Sequence, residues 1–573
     1  MGCEFLCKCF FFFFFFFFFF FFFFFFFSIY FFEYDLIFFF EWVFFNFNSC
    51  SFSVVFLFDW VSLMFMSIVF IISGSVLFYS LGYMSGDLNL IRFFYIVFLF
   101  ILSMIFFILM PDFICLLLGW DGLGLVSYCL VIYYQNSISL SSGLITVFMN
   151  RLGDVFLILS IGWFFNFGSW HYLFYMNFFE NDFIFVCYLV LFASFTKSAQ
   201  FPFSFWLPAA MAAPTPVSSL VHSSTLVTSG VYLLIRFNYY LFFCDTFFLM
   251  IISLLTMFIS GFNACVDNDL KSIIAFSTLS QLGFMFFVLS FGSVILCFMH
   301  LIIHAVFKSL LFLCSGYFIH CFFGNQDIRY MGGLSIQSPY VSSCFFISLL
   351  CLCGFPFLTG FYSSDFILEF LILSDFNFFF FIVFVFSVGL TMIYSLRLMY
   401  YLYFSDVYFF SYISFFYSLY MNYSLFFLFF FSLFGGSFIF WFFEDCFIFI
   451  VDDNLKLIPL FIFFFFFFFG FNFLDSIFFF CEHLFFFFFG SMMFLSYFSS
   501  MFFLSRFFFF CNFNYKLIDL GWFEYLVSLG LLGKLNWLGL VFDKFVINSF
   551  KLYLVFFIFF FFFLYIIYLD SLM

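Results

Sequence analysis

Residues 297–320 read CFMHLIIHAVFKSLLFLCSGYFIH, and they hold His300, His304 and Lys308 four residues apart in an otherwise apolar run. That spacing puts all three on one helix face, with about 12 Å of rise from first to last. Placing His or Lys in hydrocarbon costs a few kcal/mol or more, so such a group marks a functional site by default. A soluble core helix with satisfied histidines is the competing reading, but the flanking chain is too apolar for a soluble fold. The stretch reads as a wire for protons and the rest of the chain as its insulation.

The composition supports the membrane reading. Of 573 residues 68% are hydrophobic and 8% charged, against about 25% charged in soluble domains. At roughly 20 residues per span, the chain is an all-α polytopic membrane protein of about 14–16 transmembrane helices. A net charge of −14 argues against a nucleic-acid partner. The 18 cysteines include no C-x-x-C pair, which removes the usual iron–sulfur and zinc spacings. No GxGxxG or P-loop occurs, so no cofactor or metal is expected in this chain. Phenylalanine supplies 142 residues, with an unbroken run from Phe10 to Phe27. Helix packing in lipid favours small residues and does not ask for this; a T-rich genome, such as an organellar one, would supply it through Phe codons.

Along the chain, residues 1–90 read as N-terminal apolar spans, with one or two spans in 1–50 and another near 57–80. Residues 91–240 and 241–402 form two sets of about five spans, and 403–511 hold additional spans near 424–443, 458–474 and 484–505. Asp121 sits about ten residues inside its span, beside Gly119, Gly122 and Gly124, as a carboxylate awaiting a basic partner. Arg151 and Asp154 are three apart and able to pair. His171 lies in a polar loop and is expected to be solvated. Lys197 ends an apolar run, and Pro202 and Pro208 then interrupt the helix. Such breaks are tolerated only against protein or a water cavity. His222 stands beside Ser223, Ser224 and Thr225, a setting suited to ordered water. A second break, Gly354-Phe355-Pro356-Phe357, precedes Asp365 and Glu369. The two Phe-Pro-Phe breaks are 154 residues apart, the spacing of an internal repeat. Residues 512–550 are less apolar and read as a long lateral amphipathic helix, with 551–573 as a terminal anchor span.

These motifs resemble the antiporter-like subunits of mitochondrial NADH dehydrogenase (respiratory complex I), the subunit 5 family in particular. The matching stretches are Gly119–Gly124, Asn150–Asp154, Lys197–Gln200, Trp206–Pro208, Pro214–Ser218 and Leu220–Thr225. They continue through DLKSIIAFSTLSQ at 269–281, HLIIHAVFKSLLFLCSG at 300–316, Asp327–Gly333 and Gly354–Asp365. Residues 517–524 and 551 onward are similar to the family's C-terminal tail.

The resemblance implies two inverted five-helix repeats with broken helices and a long C-terminal lateral helix. It implies proton translocation through Asp121, Lys197, His222, His300, His304, Lys308, Asp365 and Glu369, coupled to quinone reduction in other subunits. NADH, FMN, iron–sulfur clusters and quinone are then expected in those partners, which are the other membrane-arm subunits. The implied location is the mitochondrial inner membrane, with the gene in the organelle. Asp121 falls where the family has Glu, and Ser364 stands where it has its terminal lysine. A lysine held near Asp121 keeps its proton and releases it when the carboxylate is drawn away. A stand-alone cation/proton antiporter subunit is the main alternative, and a non-catalytic membrane scaffold is a third reading.

Overall fold

A homopolymer has no amphipathic pattern of its own, so its neighbours decide which face of the phenylalanine run is buried. In the computed structural model, helix α1 (Gly2–Glu33) buries Phe10, Phe14, Phe17 and Phe21 while Phe12, Phe15 and Phe19 stay exposed. The buried side stacks on Phe70 and Phe78 of α2 (Trp60–Tyr83) and on Phe427, with ring centroids 4.1–5.6 Å apart. The structure describes residues 2–47, 50–171, 184–241, 244–374, 377–408, 418–444, 452–480, 488–495, 497–498, 503–547 and 550–570. It divides into two units, Met1–Met493 and Phe494–Met573.

Residues 1–50 do not make two spans. After α1 the chain forms an antiparallel hairpin, β1 (Phe38–Phe47) and β2 (Cys50–Phe58). The reason lies in Phe38–Phe47 and Cys50–Phe58, both rich in aromatic and β-branched residues that suit a pleated surface. His171 is not solvated: it is buried, 2.9 Å from the Ser53 hydroxyl of β2 and 3.6 Å from Asp112. Burial holds its imidazole below the usual range, against the pull of Glu41. The same burial pushes the Asp112 carboxyl up to about 7, against the Phe113 backbone N–H.

Helix α2 opens with a capping box between Asp59 and Ser62 and is buried along nearly its whole length. Its Ser67, Ser73, Ser75 and Ser80 hydroxyls donate to carbonyls three residues back, which keeps donors satisfied inside an apolar core. Around it run two sets of five spans. The first comprises α3 (Leu90–Leu109), α4 (Phe113–Val131), α5 (Ser137–Phe164), α6 (Ile184–Lys197) with its broken continuation, and α7 (Thr215–Arg236). The second comprises α8 (Thr246–Val266), α9 (Leu270–Ser290), α10 (Val294–Cys321), the interrupted pair α11 (Pro339–Cys353) and α12 (Thr359–Leu373), and α13 (Phe378–Met399). Helices α14 (Leu419–Phe443) and α15 (Ile458–Phe480) complete the described spans of this unit.

Contacts at the helix ends define two rims. At one, Tyr133 donates to the Asn89 carbonyl, Lys271 to that of Ala213 and Arg397 to that of Cys265. At the other, Phe113 meets the Trp170 carbonyl and Arg236 pairs with Asp59. The first broken span, α6, leaves the second rim; the other, α11–α12, leaves the first. Each is fourth in its set, so the two sets are inverted. Proline and chirality make the breaks. Lys197 is the last residue of α6, and Pro202 and Pro208 follow without backbone donors. Gly354 ends α11 at φ +75°, the left-handed cap that glycine allows without strain.

Thirteen helices among the described residues are long and apolar enough to cross a membrane. The interrupted spans and α15 add to them, in keeping with the expected 14–16. The span expected near 484–505 is not a continuous helix: within the described residues 488–495, Met492, Met493 and Phe494 take left-handed backbone angles with φ of 54–55°, which break the helical run. In the second unit one continuous helical stretch, α16, runs over 503–547 with a π-helical section at Tyr515–Gly530. It is about twice as long as a span needs, and starts nine residues before the expected 512. Helix α17 (Phe550–Asp570) follows.

Asp59 and Arg236 tie the start of α2 to the end of α7. The guanidinium donates to both carboxylate oxygens and to the Tyr232 hydroxyl, and both side chains are largely buried. Burial alone would raise the Asp59 pKa, but Arg236 and the Ser62 N–H outweigh it and hold the carboxyl below its usual value. Arg236→Ala should therefore destabilise the chain by about 3–5 kcal/mol by leaving a buried charge unpaired. A carboxyl with a depressed folded pKa gives stability that is present above its unfolded pKa of about 4 and lost as pH falls through the folded one. Thermal unfolding of the purified membrane complex should lose less midpoint on acidification in Asp59→Asn than in the wild type; equal acid loss would contradict this.

Candidate proton-translocation site

Of the expected residues, His300, His304 and Lys308 lie as the spacing requires, on one face of α10 and fully inside the bundle. Lys308 Nζ donates to the Ser277 hydroxyl of α9 at 2.5 Å. His300 reaches Gln281 of α9 at 3.1 Å and Ser363 of α12 at 2.9 Å. Helices α9 and α10 are antiparallel, so Ser277 and Gln281, four residues apart, serve Lys308 and His300, eight apart. His304 stands between them, its ring 6.3 Å from that of His300 and both of its nitrogens without a hydrogen-bond partner.

The first repeat supplies a second cluster. Arg151 of α5 sits 3.3 Å from Asp121 of α4 and 3.0 Å from Asp154. Asp121 thus has a basic partner, but that partner is Arg151 rather than Lys197. Lys197 is buried, donates to the Trp120 carbonyl at 3.1 Å and lies 5.0 Å from the centre of the Trp120 ring. The carbonyl and the ring's negative face hold its charge, as does its place at the C-terminal end of α6. Among the described residues no carboxylate comes within 4.0 Å of its ammonium. The expected Asp121–Lys197 contact is therefore open.

His222 occupies a π-helical turn, Ser218–Thr225, inside α7. Pro214 and Pro216 start that helix and the wider turn follows directly, a local irregularity common at functional sites. The imidazole is buried against Trp206, and neither nitrogen has a hydrogen-bond partner. Asp365 and Glu369 lie four apart on α12, partly buried. Ser364 donates to the Gly360 carbonyl at 2.9 Å. Ser364, Asp365, His300 and Gln281 border a cavity of about 60 Å³, enough for several waters.

Trp120, Ser277, Gln281 and Ser363 contact the candidate site residues, and spacing along the chain does not reveal them. Serines and a glutamine in a membrane helix look like packing residues, and only the facing helix reveals their partners. Among the described residues, no group of three or more His, Cys, Asp or Glu side chains could hold a metal ion.

Known proteins share this helical architecture. Residues 110–391 match the family described as NADH:quinone oxidoreductase/Mrp antiporter, TM. Residues 394–568 match NADH dehydrogenase subunit 5 C-terminus, and 42–94 match NADH-Ubiquinone oxidoreductase (complex I), chain 5 N-terminus. The chain is 46% identical to NADH-ubiquinone oxidoreductase chain 5 of Aedes aegypti over 502 residues, 85% of this chain and 86% of that one. It is 52% identical to the chain 5 of Locusta migratoria over 377 residues, 65% and 66% of the two chains. In fold it is similar to a chain of the Mrp complex from Dietzia sp., with a TM-score of 0.63 at 22% identity, covering 74% of this chain and 49% of that one. An archaeal membrane-bound sulfane sulfur reductase gives 0.62 at 20% identity, covering 69% and 67%. With two repeats, two broken spans and relatives matched over most of both chains, this protein belongs to the NADH-ubiquinone oxidoreductase chain 5 family.

Proposed function

We propose that this chain, as the antiporter-like subunit 5 in the membrane arm of a proton-translocating NADH:ubiquinone oxidoreductase, carries protons along a buried axis. The axis runs from Asp121 and Lys197 through His222, Lys308, His304 and His300 to Asp365 and Glu369. The observation that carries the reading is the fully buried His300–His304–Lys308 face, with hydroxyl and amide partners on α9 and α12 and no packing duty that needs charge. The C-terminal match over 394–568 favours this reading over a stand-alone cation/proton antiporter. The chemistry of NADH, FMN, iron–sulfur clusters and quinone belongs to partner subunits. The membrane is the mitochondrial inner one, and the gene is organellar.

Asp121 acts as a movable counter-charge. Paired with Arg151, it leaves Lys197 on a carbonyl and an aromatic face, where the ammonium can pass its proton toward His222. Swung to Lys197, it would hold the proton in place. Histidine rings carry the proton onward because each ring can take a proton on one nitrogen and release it from the other. Co-purification of the tagged chain with quinone-reducing subunits, followed by proton-flux measurement, tests the assignment. A flux that ignores Lys308 would defeat it.

Ser364 cannot store charge at neutral pH, but it can hold water between titratable neighbours. The outlet should therefore rest on Asp365 and Glu369, which stand one helix turn apart on the same face and can exchange a proton through water. Asp365→Asn with Glu369→Gln should slow proton exit roughly tenfold or more, while Ser364→Ala changes it little. Ser364→Lys should be tolerated, since the adjoining cavity has room and Asp365 can pair with it. Normal pumping by the double variant would move the outlet elsewhere.

A further inference from the structure

The stripe that begins at His300 does not end at Lys308. Continuing in steps of four along α10 it passes Phe312 and Gly316 and reaches His320 at the helix end. Gly316 has no side chain where α2 and the start of α7 press closest. A Cβ built there would stand 2.5 Å from the Thr215 hydroxyl and 2.9 Å from the Tyr79 hydroxyl. Both side chains are fully buried, and neither hydroxyl completes a regular hydrogen bond. Tyr83, one turn beyond Tyr79, also lies against Thr215. Its ring centre is 5.9 Å from that of Tyr79 and 5.6 Å from the imidazole of His320. His320 is exposed at the rim.

We infer that His320, Tyr83, Tyr79 and Thr215 form a proton inlet that joins the axis at His222. This rests on the translocation reading above and adds the place where protons are taken up. Buried hydroxyls outside the regular hydrogen-bond pattern demand an explanation, and those of Tyr79 and Tyr83 both meet Thr215, three residues before the π-helical turn begins. Ser218, three residues past Thr215, donates to the Thr215 carbonyl at 2.8 Å, and its oxygen remains free to accept. His222 follows one step of four later, with both ring nitrogens open. Each hydroxyl accepts a proton on its oxygen while giving its own to the next group, with water completing the chain. No hydroxyl changes charge, and the imidazole of His222 ends as the imidazolium. Gly316 is a positioning residue, since any side chain there would push Thr215 and Tyr79 apart.

The test uses the complete complex in proteoliposomes, reading protons moved per electron against Lys308→Met. Tyr79→Phe with Thr215→Val should lower proton uptake through this chain about tenfold or more. Tyr79→Phe with Thr215→Ser, which restores one hydroxyl, should recover most of it. His320→Leu, at the exposed helix end where folding is least at risk, should lower uptake as well. If the first double variant assembles and pumps like the wild type while Lys308→Met does not, the inlet is overturned. If the double variant fails to assemble, wild-type uptake by His320→Leu overturns it instead. Normal pumping by Lys308→Met would contradict the translocation reading itself.

Discussion

Lys308→Met should slow proton transfer through this chain by about 10²–10³-fold, the usual consequence of removing a group that takes and gives the transferred proton. The complex should still assemble. Methionine fills nearly the same length, and Ser277, which loses the ammonium, already donates to the Ile274 carbonyl at 2.6 Å. The change therefore removes a buried charge and leaves no donor orphaned, the condition under which such a replacement is tolerated. Proton release by proteoliposomes during quinone reduction, normalised to the amount of assembled subunit, measures it. Loss of the subunit with unchanged pumping per remaining complex would mean that Lys308 is structural.

In the first repeat, Lys197→Ala and Asp121→Ala should each lower coupled pumping by roughly tenfold to a hundredfold with near-normal assembly. Arg151→Gln tests the counter-charge directly. Without the guanidinium, Asp121 has only Lys197 to turn to, so the ammonium stays paired and pumping should fall to the same degree. Arg151→Lys keeps a cation between Asp121 and Asp154 and should retain much of the rate. Wild-type pumping by Arg151→Gln would show that the 3.3 Å contact with Asp121 is packing and nothing more.

The helical spans and both breaks were legible because they rest on strong local signals. An apolar run of some twenty residues has few fates, Pro202 and Pro356 cannot continue a helix interior, and Gly354 can take the left-handed cap that ends one. The face shared by His300, His304 and Lys308 follows from helix periodicity alone. The hairpin over Phe38–Phe58 was missed because aromatic runs suit strand and helix equally by hydropathy. His171 looked solvated because its partners, Ser53 and Asp112, come from elements distant in sequence. The exchange of Lys197 for Arg151 as the partner of Asp121 was invisible for a related reason. Spacing shows that Arg151 and Asp154 can meet, but only the packing of α4 against α5 brings Asp121 within reach. The π-helical turn around His222 leaves no sequence mark beyond the prolines before it.

The proposed buried axis carries protons across the membrane inside this chain. It is tested most directly by the number of protons moved per electron pair in proteoliposomes holding the complex with His304→Leu and Lys308→Met together. Quinone reduction should continue, the subunit should remain in the complex, and the proton yield should fall below that of the wild type by this chain's full share. A wild-type proton yield from the assembled double variant would contradict it.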